Sequence, residues 1–199
     1  MGNGKTVKRK TIASRGTRHA SRLRRGRLIL VIGGASSGKS AAALDLAGQG
    51  LPKGAARAFV ATGQALDDEM TVRIRRHQAS RGSEWKTAEV PVDLAGWFEE
   101  QGRQYCAIIV DCLTLWLSNL REQGLADALV SDRVSGLLRA IRKSSSRVVI
   151  VTNELGLGLV PLDASSRLFR DLAGQVNQQI AAEADDVYFV MSGLPVQVK

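Results

Sequence analysis

Residues Gly33-Gly34-Ala35-Ser36-Ser37-Gly38-Lys39-Ser40 fit the pattern G-x-x-x-x-G-K-[ST]. No other feature narrows the fold as far, because the pattern works only between a buried strand and a helix. Both neighbours are present. Leu28-Ile29-Leu30-Val31-Ile32 is a continuous apolar run that stops at glycine, as a strand buried on both faces does. Ala41-Ala42-Ala43-Leu44-Asp45-Leu46-Ala47 is made of strong helix formers. Glycines let such a loop curl until several backbone N–H groups point inward, and the helix start adds partial positive charge. Lys39 is then expected to reach the β- and γ-phosphates of a nucleotide, and Ser40 to hold Mg²⁺.

The 199 residues suit one α/β domain, and a hydrophobic content of 44% is ordinary for a globular chain. No apolar run approaches the ~18 residues of a membrane span. Cys106 and Cys112 make no metal pattern and read as small core residues of a reducing cytoplasm. The net charge of +9 is misleading, because ten of the 28 basic residues fall in residues 1–27, which hold no acid. The remainder carries 18 basic against 19 acidic residues. Residues 1–27 therefore read as a basic, disordered N-terminal extension before a domain of residues 28–199. Contact with nucleic acid or an anionic surface, a transit peptide, and a solvated extension are all open for it, the last being the simplest.

Arg57-Ala58-Phe59-Val60-Ala61-Thr62 reads as a second strand, and residues 66–78 as a helix with its acids first and its bases last. Leu66, Met70, Ile74 and His77 share one face of that helix. Residues 84–90 alternate weakly, as a short strand, and Asp93 is placed to cap a helix running to about Gln101. Cys106-Ala107-Ile108-Ile109-Val110-Asp111 is an apolar strand ending in an acid, the pattern of a carboxylate that completes Mg²⁺ coordination from the neighbouring strand. Helices are expected over 114–120 and 125–143, then a core strand over 147–154 and a loop over 155–161. Ser165 or Ser166 would cap a helix to about Glu183, and 187–191 with 194–198 would close the sheet as a hairpin. The alternation predicts a mainly parallel sheet with helices on both faces. Ligands gather at the carboxyl ends of such strands, where Gly33, Thr62, Asp111 and Asn153 lie.

Taken together, these segments resemble one family. The phosphate loop, Ala61-Thr62-Gly63-Gln64, Leu66-Asp67-Asp68-Glu69-Met70, Arg73-Ile74, His77 and Trp85-Thr87-Glu89 all contribute. So do residues 110–114, Val151-Thr152-Asn153-Glu154-Leu155-Gly156, Pro161 and the run from Arg170 to Gln178. The chain is similar, over residues 28 to 199, to the bifunctional adenosylcobinamide kinase / adenosylcobinamide-phosphate guanylyltransferases of cobalamin biosynthesis. The resemblance implies a RecA-like P-loop fold, a homotrimer and two reactions. One phosphorylates the aminopropanol hydroxyl of adenosylcobinamide with a nucleoside triphosphate, ATP or GTP. The other takes GMP from GTP onto a histidine and passes it to adenosylcobinamide phosphate, giving adenosylcobinamide-GDP.

The same resemblance implies the site. His77 matches the nucleophile, with Lys39 as the second catalytic group. Nucleotide contacts map to Gly33, Gly34, Ala35, Ser36, Ser37, Gly38, Lys39 and Ser40, to Ala61, Thr62 and Gly63, to Gln78, Ala79, Ser80 and Arg81, and to Glu89 and Asp111. Magnesium falls to Ser40 and Asp111. The chemistry is consistent: an imidazole with a reference pKa of about 6.5 is neutral enough to attack, and nearby arginines disfavour its protonation. Glu89 reads either as a guanine or ribose contact or as a surface acid, and Asn153 and Glu154 either as substrate-positioning groups or as strand-end caps. Trp85, Trp97 and Trp116 are spread over different elements and read as packing residues. Two details depart from the family: Ser36 stands where an arginine is often found, and Arg76 where some relatives carry another histidine. Two other functions compete, a nucleotide-switched nucleic-acid-binding protein using the basic extension and a monofunctional small-molecule kinase.

Overall fold

The computed structural model describes residues 26–65, 67–79 and 82–199. The predicted extension, apart from Gly26 and Arg27, lies outside the described residues, as do Leu66, Ser80 and Arg81. Seven strands form one sheet: β1 (Arg27–Gly33), β2 (Arg57–Ala61), β3 (Trp85–Glu89), β4 (Ala107–Asp111), β5 (Arg147–Asn153), β6 (Asp186–Met191) and β7 (Leu194–Gln197). The helices are α1 (Lys39–Gly48), α2 (Asp68–Ala79), α3 (Leu94–Gln101), α4 (Leu113–Glu122), α5 (Asp127–Lys143) and α6 (Ala164–Glu183).

The strand order is β3-β2-β4-β5-β1-β6-β7, parallel throughout except for the antiparallel β6–β7 hairpin. The three apolar runs β4, β5 and β1 take the centre, because only there are both faces of a strand covered. Alternation along β1 divides the core. Leu28 and Leu30 pack with α3, α4, α5 and α6, whereas Ile29 and Val31 pack with Ala42, Ala43 and Ala47 of α1. The expected helices on both faces are therefore present. The hairpin turns through Ser192 and Gly193, both at positive φ (51° and 82°), the two-residue turn whose twist suits paired strands.

The structure corrects three expectations. Asp163, rather than Ser165 or Ser166, caps α6: its carboxylate accepts the Ser166 N–H at 2.7 Å, which holds the acid below its ordinary pKa. Cys112 is buried, but Cys106 is exposed, because β4 begins one residue after it. The third concerns strand neighbours. β5 lies between β1 and β4, so Asp111 does not come from the strand beside the phosphate loop.

The three tryptophans pack as expected. Trp85, Trp97 and Trp116 are buried, the last donating its indole N–H to the Val92 carbonyl at 2.6 Å. Among the described residues, no helix is long and apolar enough to cross a membrane.

Candidate active site

The phosphate loop begins where β1 ends. Gly33 pairs with Asn153 on one side and Val190 on the other, and a Cβ there would stand 2.4 Å from the Val190 carbonyl oxygen. The chain then turns back through two left-handed residues, Ser36 (φ 54°) and Gly38 (φ 96°). Gly38 caps α1 without a side-chain bond, and the first turn carries no acid, so the helix start offers its N–H groups and positive end to an anion. Gly34 is half-buried and Ala35 exposed. The Ser37 hydroxyl is buried without a hydrogen-bond partner, a polar atom that a phosphate oxygen would satisfy. Lys39 is buried and its ammonium donates to the Gly34 carbonyl, folding the side chain back along the loop. Behind the loop stands the hairpin turn: the Gly193 N–H donates to the Ser37 carbonyl at 2.8 Å, and a Cβ on Gly38 would lie 3.0 Å from the Gly193 Cα.

Ser40, second in α1, donates its hydroxyl to the Asp111 carboxylate at 3.1 Å. The separation of β1 from β4 is bridged because α1 packs over β5 and β4, carrying Ser40 above the end of β4. The pair supplies only hard oxygen donors, a set that fits Mg²⁺. Asp111 is held by what surrounds it. The Thr62 N–H donates to the Asp111 carbonyl at 3.1 Å. The Thr62 hydroxyl accepts the Cys112 N–H at 2.9 Å and donates to the Cys112 carbonyl at 2.7 Å. Thr62 is fully buried, and these bonds brace the strand that carries the carboxylate. Burial, with the Asp111 charge beside it, pushes the Cys112 thiol up to about 11. Ala61 pairs in register with both Asp111 and Glu89, which places exposed Glu89 at the outer end of the same row. Gly63 follows, with the Leu115 side chain 3.2 Å from where its Cβ would be.

His77 lies in the third turn of α2. Asp67 caps this helix, accepting the Met70 N–H at 2.7 Å. Met70 and Ile74 are half-buried, Val72 is 65% exposed, and Gln78 is exposed. Among the described residues, α2 shares no extended contact with another element. The side chains of Arg73, Arg76, His77 and Ala79 lie outside the described residues, like Ser80 and Arg81.

A family model for cobinamide kinase / cobinamide phosphate guanyltransferase, CobU, matches residues 29–198. The chain belongs to the CobU family. It is 41% identical over 170 residues to the bifunctional adenosylcobalamin biosynthesis protein CobP of Pseudomonas aeruginosa, a match spanning 85% of this chain and 96% of the relative. It is 37% identical over 184 residues to the corresponding CobU of Salmonella typhimurium, spanning 86% and 99%. Two solved structures bear on this CobU-family fold alone. Flagellar accessory protein FlaH of Methanocaldococcus jannaschii aligns at TM-score 0.51 with 17% identity, over 90% of this chain and 82% of that one. A KaiC-like protein of Pyrococcus horikoshii aligns at 0.50 with 11% identity, over 83% and 71%. The sheet order and these neighbours make the fold RecA-like.

In this CobU-family chain the ends of β2, β3 and β5 rest on groups that sequence patterns did not single out. The Asn119 amide donates to the Thr62 and Pro91 carbonyls, each at 2.8 Å. The Thr152 hydroxyl donates to the Asn177 carboxamide oxygen at 2.8 Å, the Asn177 amide donates to the Asn153 carbonyl at 3.1 Å, and the Asn153 N–H donates to the Thr114 hydroxyl at 3.0 Å. The available signal was an asparagine on the apolar face of a helix, a polar residue whose burial requires partners. The Glu154 N–H donates to the Gly33 carbonyl at 2.9 Å, and its carboxylate accepts the Gly156 N–H at 2.6 Å. The Glu154 backbone thus ties the loop after β5 to the root of the phosphate loop.

Proposed function

We infer that this chain phosphorylates adenosylcobinamide and guanylylates adenosylcobinamide phosphate, using ATP or GTP in the first step and GTP in the second. The observation that carries this reading is the Ser40–Asp111 pair at the foot of a phosphate loop, in a chain whose family match runs from residue 29 to 198. That match favours the bifunctional enzyme over a nucleic-acid-binding protein and over a monofunctional kinase.

In the kinase step the aminopropanol hydroxyl oxygen attacks the γ-phosphorus, the bond to the β-bridging oxygen breaks, and the nucleoside diphosphate leaves. The hydroxyl proton passes to water. In the guanylyl step a neutral imidazole nitrogen of His77 attacks the α-phosphorus of GTP, and pyrophosphate leaves. A phosphate oxygen of adenosylcobinamide phosphate then attacks the same phosphorus, and the histidine–phosphorus bond breaks. The loop N–H groups and Lys39 bear the charge that builds on the leaving phosphates. Ser40 and Asp111 would hold Mg²⁺, which neutralises phosphate charge when bound. Gln78, Ala79, Ser80, Arg81 and Glu89 complete the nucleotide contacts in this reading. The assembly is a homotrimer in the cytoplasm.

The test uses GTP labelled at the α-phosphate. Wild type retains an acid-labile, base-stable GMP label and releases pyrophosphate, whereas His77→Ala retains none and keeps measurable kinase turnover. A label that persists in the variant, or equal loss of both activities in a folded variant, overturns the assignment of His77.

A further inference from the structure

Outside the nucleotide site the molecule has a cavity of about 590 Å³ between α4 and α6, beneath the loop that follows β5. Its walls include Arg121, Leu155, Pro161, Ser165, Phe169 and Arg170. We propose that this cavity and its loop seat the corrinoid, holding one face and edge of the macrocycle while its alcohol or phosphate arm extends to the phosphate loop. The inference rests on the function proposed above.

Position comes first. One wall starts at Leu155, the residue after Glu154, whose N–H is bonded to the Gly33 carbonyl. Leu155 is two residues beyond Asn153, the partner of Gly33, or about 7 Å along extended chain. The other wall is α4, which begins two residues after Asp111. Ser118, which also lines the cavity, is seven residues past Asp111, or about 10 Å along a helix. Both walls therefore grow out of the nucleotide site, within the reach of a flexible arm.

The surface chemistry points the same way. The loop shows Leu157, Leu159, Val160 and Leu162 to solvent, Leu159 at 96% and Leu162 at 100% exposure, with Leu168 of α6 beside them at 56%. Aliphatic side chains exposed on the same loop and helix that wall a cavity mark a surface that something apolar covers. Within the cavity the Arg121 guanidinium stands 5.8 Å over the Phe169 ring, giving a flat platform with a cationic edge. Arg121 meets Asp127 only at 3.6 Å, and Arg170 meets its neighbour Asp171 only at 4.0 Å. Two guanidiniums against one lining acid, Glu122, suit a ligand that becomes a phosphate ester. The hydroxyls of Ser165 and Ser166 suit neutral amide arms. A flat apolar ring rimmed with amides and carrying one phosphorylatable arm fits all of these.

The experiment titrates full-length protein with adenosylcobinamide by calorimetry and, separately, with GTP. Leu159→Asp alters a side chain with no packing role within its own chain, so the fold of the chain is not at stake; Phe169→Ala removes the platform. Both variants should bind adenosylcobinamide at least tenfold more weakly, with GTP affinity within twofold of wild type. Wild-type corrinoid affinity in Leu159→Asp overturns the proposal. So does a change in particle mass by light scattering with corrinoid affinity intact, which would make the loop a contact between copies. A wild type that binds GTP but no adenosylcobinamide overturns the proposed function, and this inference with it.

Discussion

The Ser40 hydroxyl donates to the Asp111 carboxylate across 3.1 Å, although β5 separates the strand leading into the phosphate loop from the strand ending at Asp111. Asp111→Asn keeps the shape and the bond to Ser40 but removes the charge. Mg²⁺ titrations of kinase turnover and of GMP labelling should both shift to higher concentration, by on the order of 10–100-fold. A half-saturating Mg²⁺ concentration equal to wild type would remove Asp111 from the metal site.

Two adjacent glycines should behave differently. A Cβ on Gly33 meets the Val190 carbonyl oxygen at 2.4 Å and the Ser37 hydroxyl at 2.9 Å, whereas a Cβ on Gly34 meets nothing within 4 Å. Gly33→Ala should therefore cost on the order of 2–3 kcal/mol in urea denaturation, as overpacking against backbone does. Gly34→Ala should unfold at the wild-type midpoint.

Asn119 supports Thr62 through its amide, which donates to the Thr62 carbonyl at 2.8 Å. Asn119→Ala strands two carbonyls, those of Thr62 and Pro91, and should destabilise the fold by about 2–4 kcal/mol. Thr62→Val preserves shape but loses both bonds to Cys112, and should cost about 1–3 kcal/mol while loosening Asp111. Denaturation midpoints check the first quantity; the Mg²⁺ dependence of the Thr62 variant checks the second.

The two thiols should separate by chemistry and by pH. At pH 8 a maleimide should label exposed Cys106 and leave buried Cys112 unmodified until the chain unfolds. The Cys112 thiol is raised from 9.0 to about 11, so folding favours its neutral form. Its contribution is complete below pH 9 and is lost as pH rises toward 11, at up to about 1.4 kcal/mol per unit. The stability difference between wild type and Cys112→Ala, measured by urea at pH 8 and again at pH 10.5, should shrink by about 2 kcal/mol.

Much of this site was legible because its parts are local. An apolar run closed by glycine, acid or threonine reads as a buried strand presenting its last residue at the sheet's carboxyl edge, and Gly33, Thr62, Asp111 and Asn153 all sit there. Strand order was not legible, since nothing in the runs themselves says that β5 slides between β1 and β4. Asn119 and Asn177 were missed for a related reason: their partners come from other elements, and only the folded chain reveals the carbonyls they satisfy. Cys106 was misplaced because it falls at the step where a strand leaves the surface. The cap of α6 was misplaced because two serines obscured an aspartate immediately upstream.

The hairpin turn at Ser192–Gly193 braces the phosphate loop from behind through its bond to Ser37. The loop is among the first parts of this domain to emerge from a ribosome, and its brace is among the last. A half-synthesised chain thus displays every residue of the motif without the scaffold that holds them in shape, so nucleotide cannot guide early folding. A nonsense mutation anywhere between Ser40 and Gly193 would yield a protein that keeps the motif in its sequence and lacks the brace behind it.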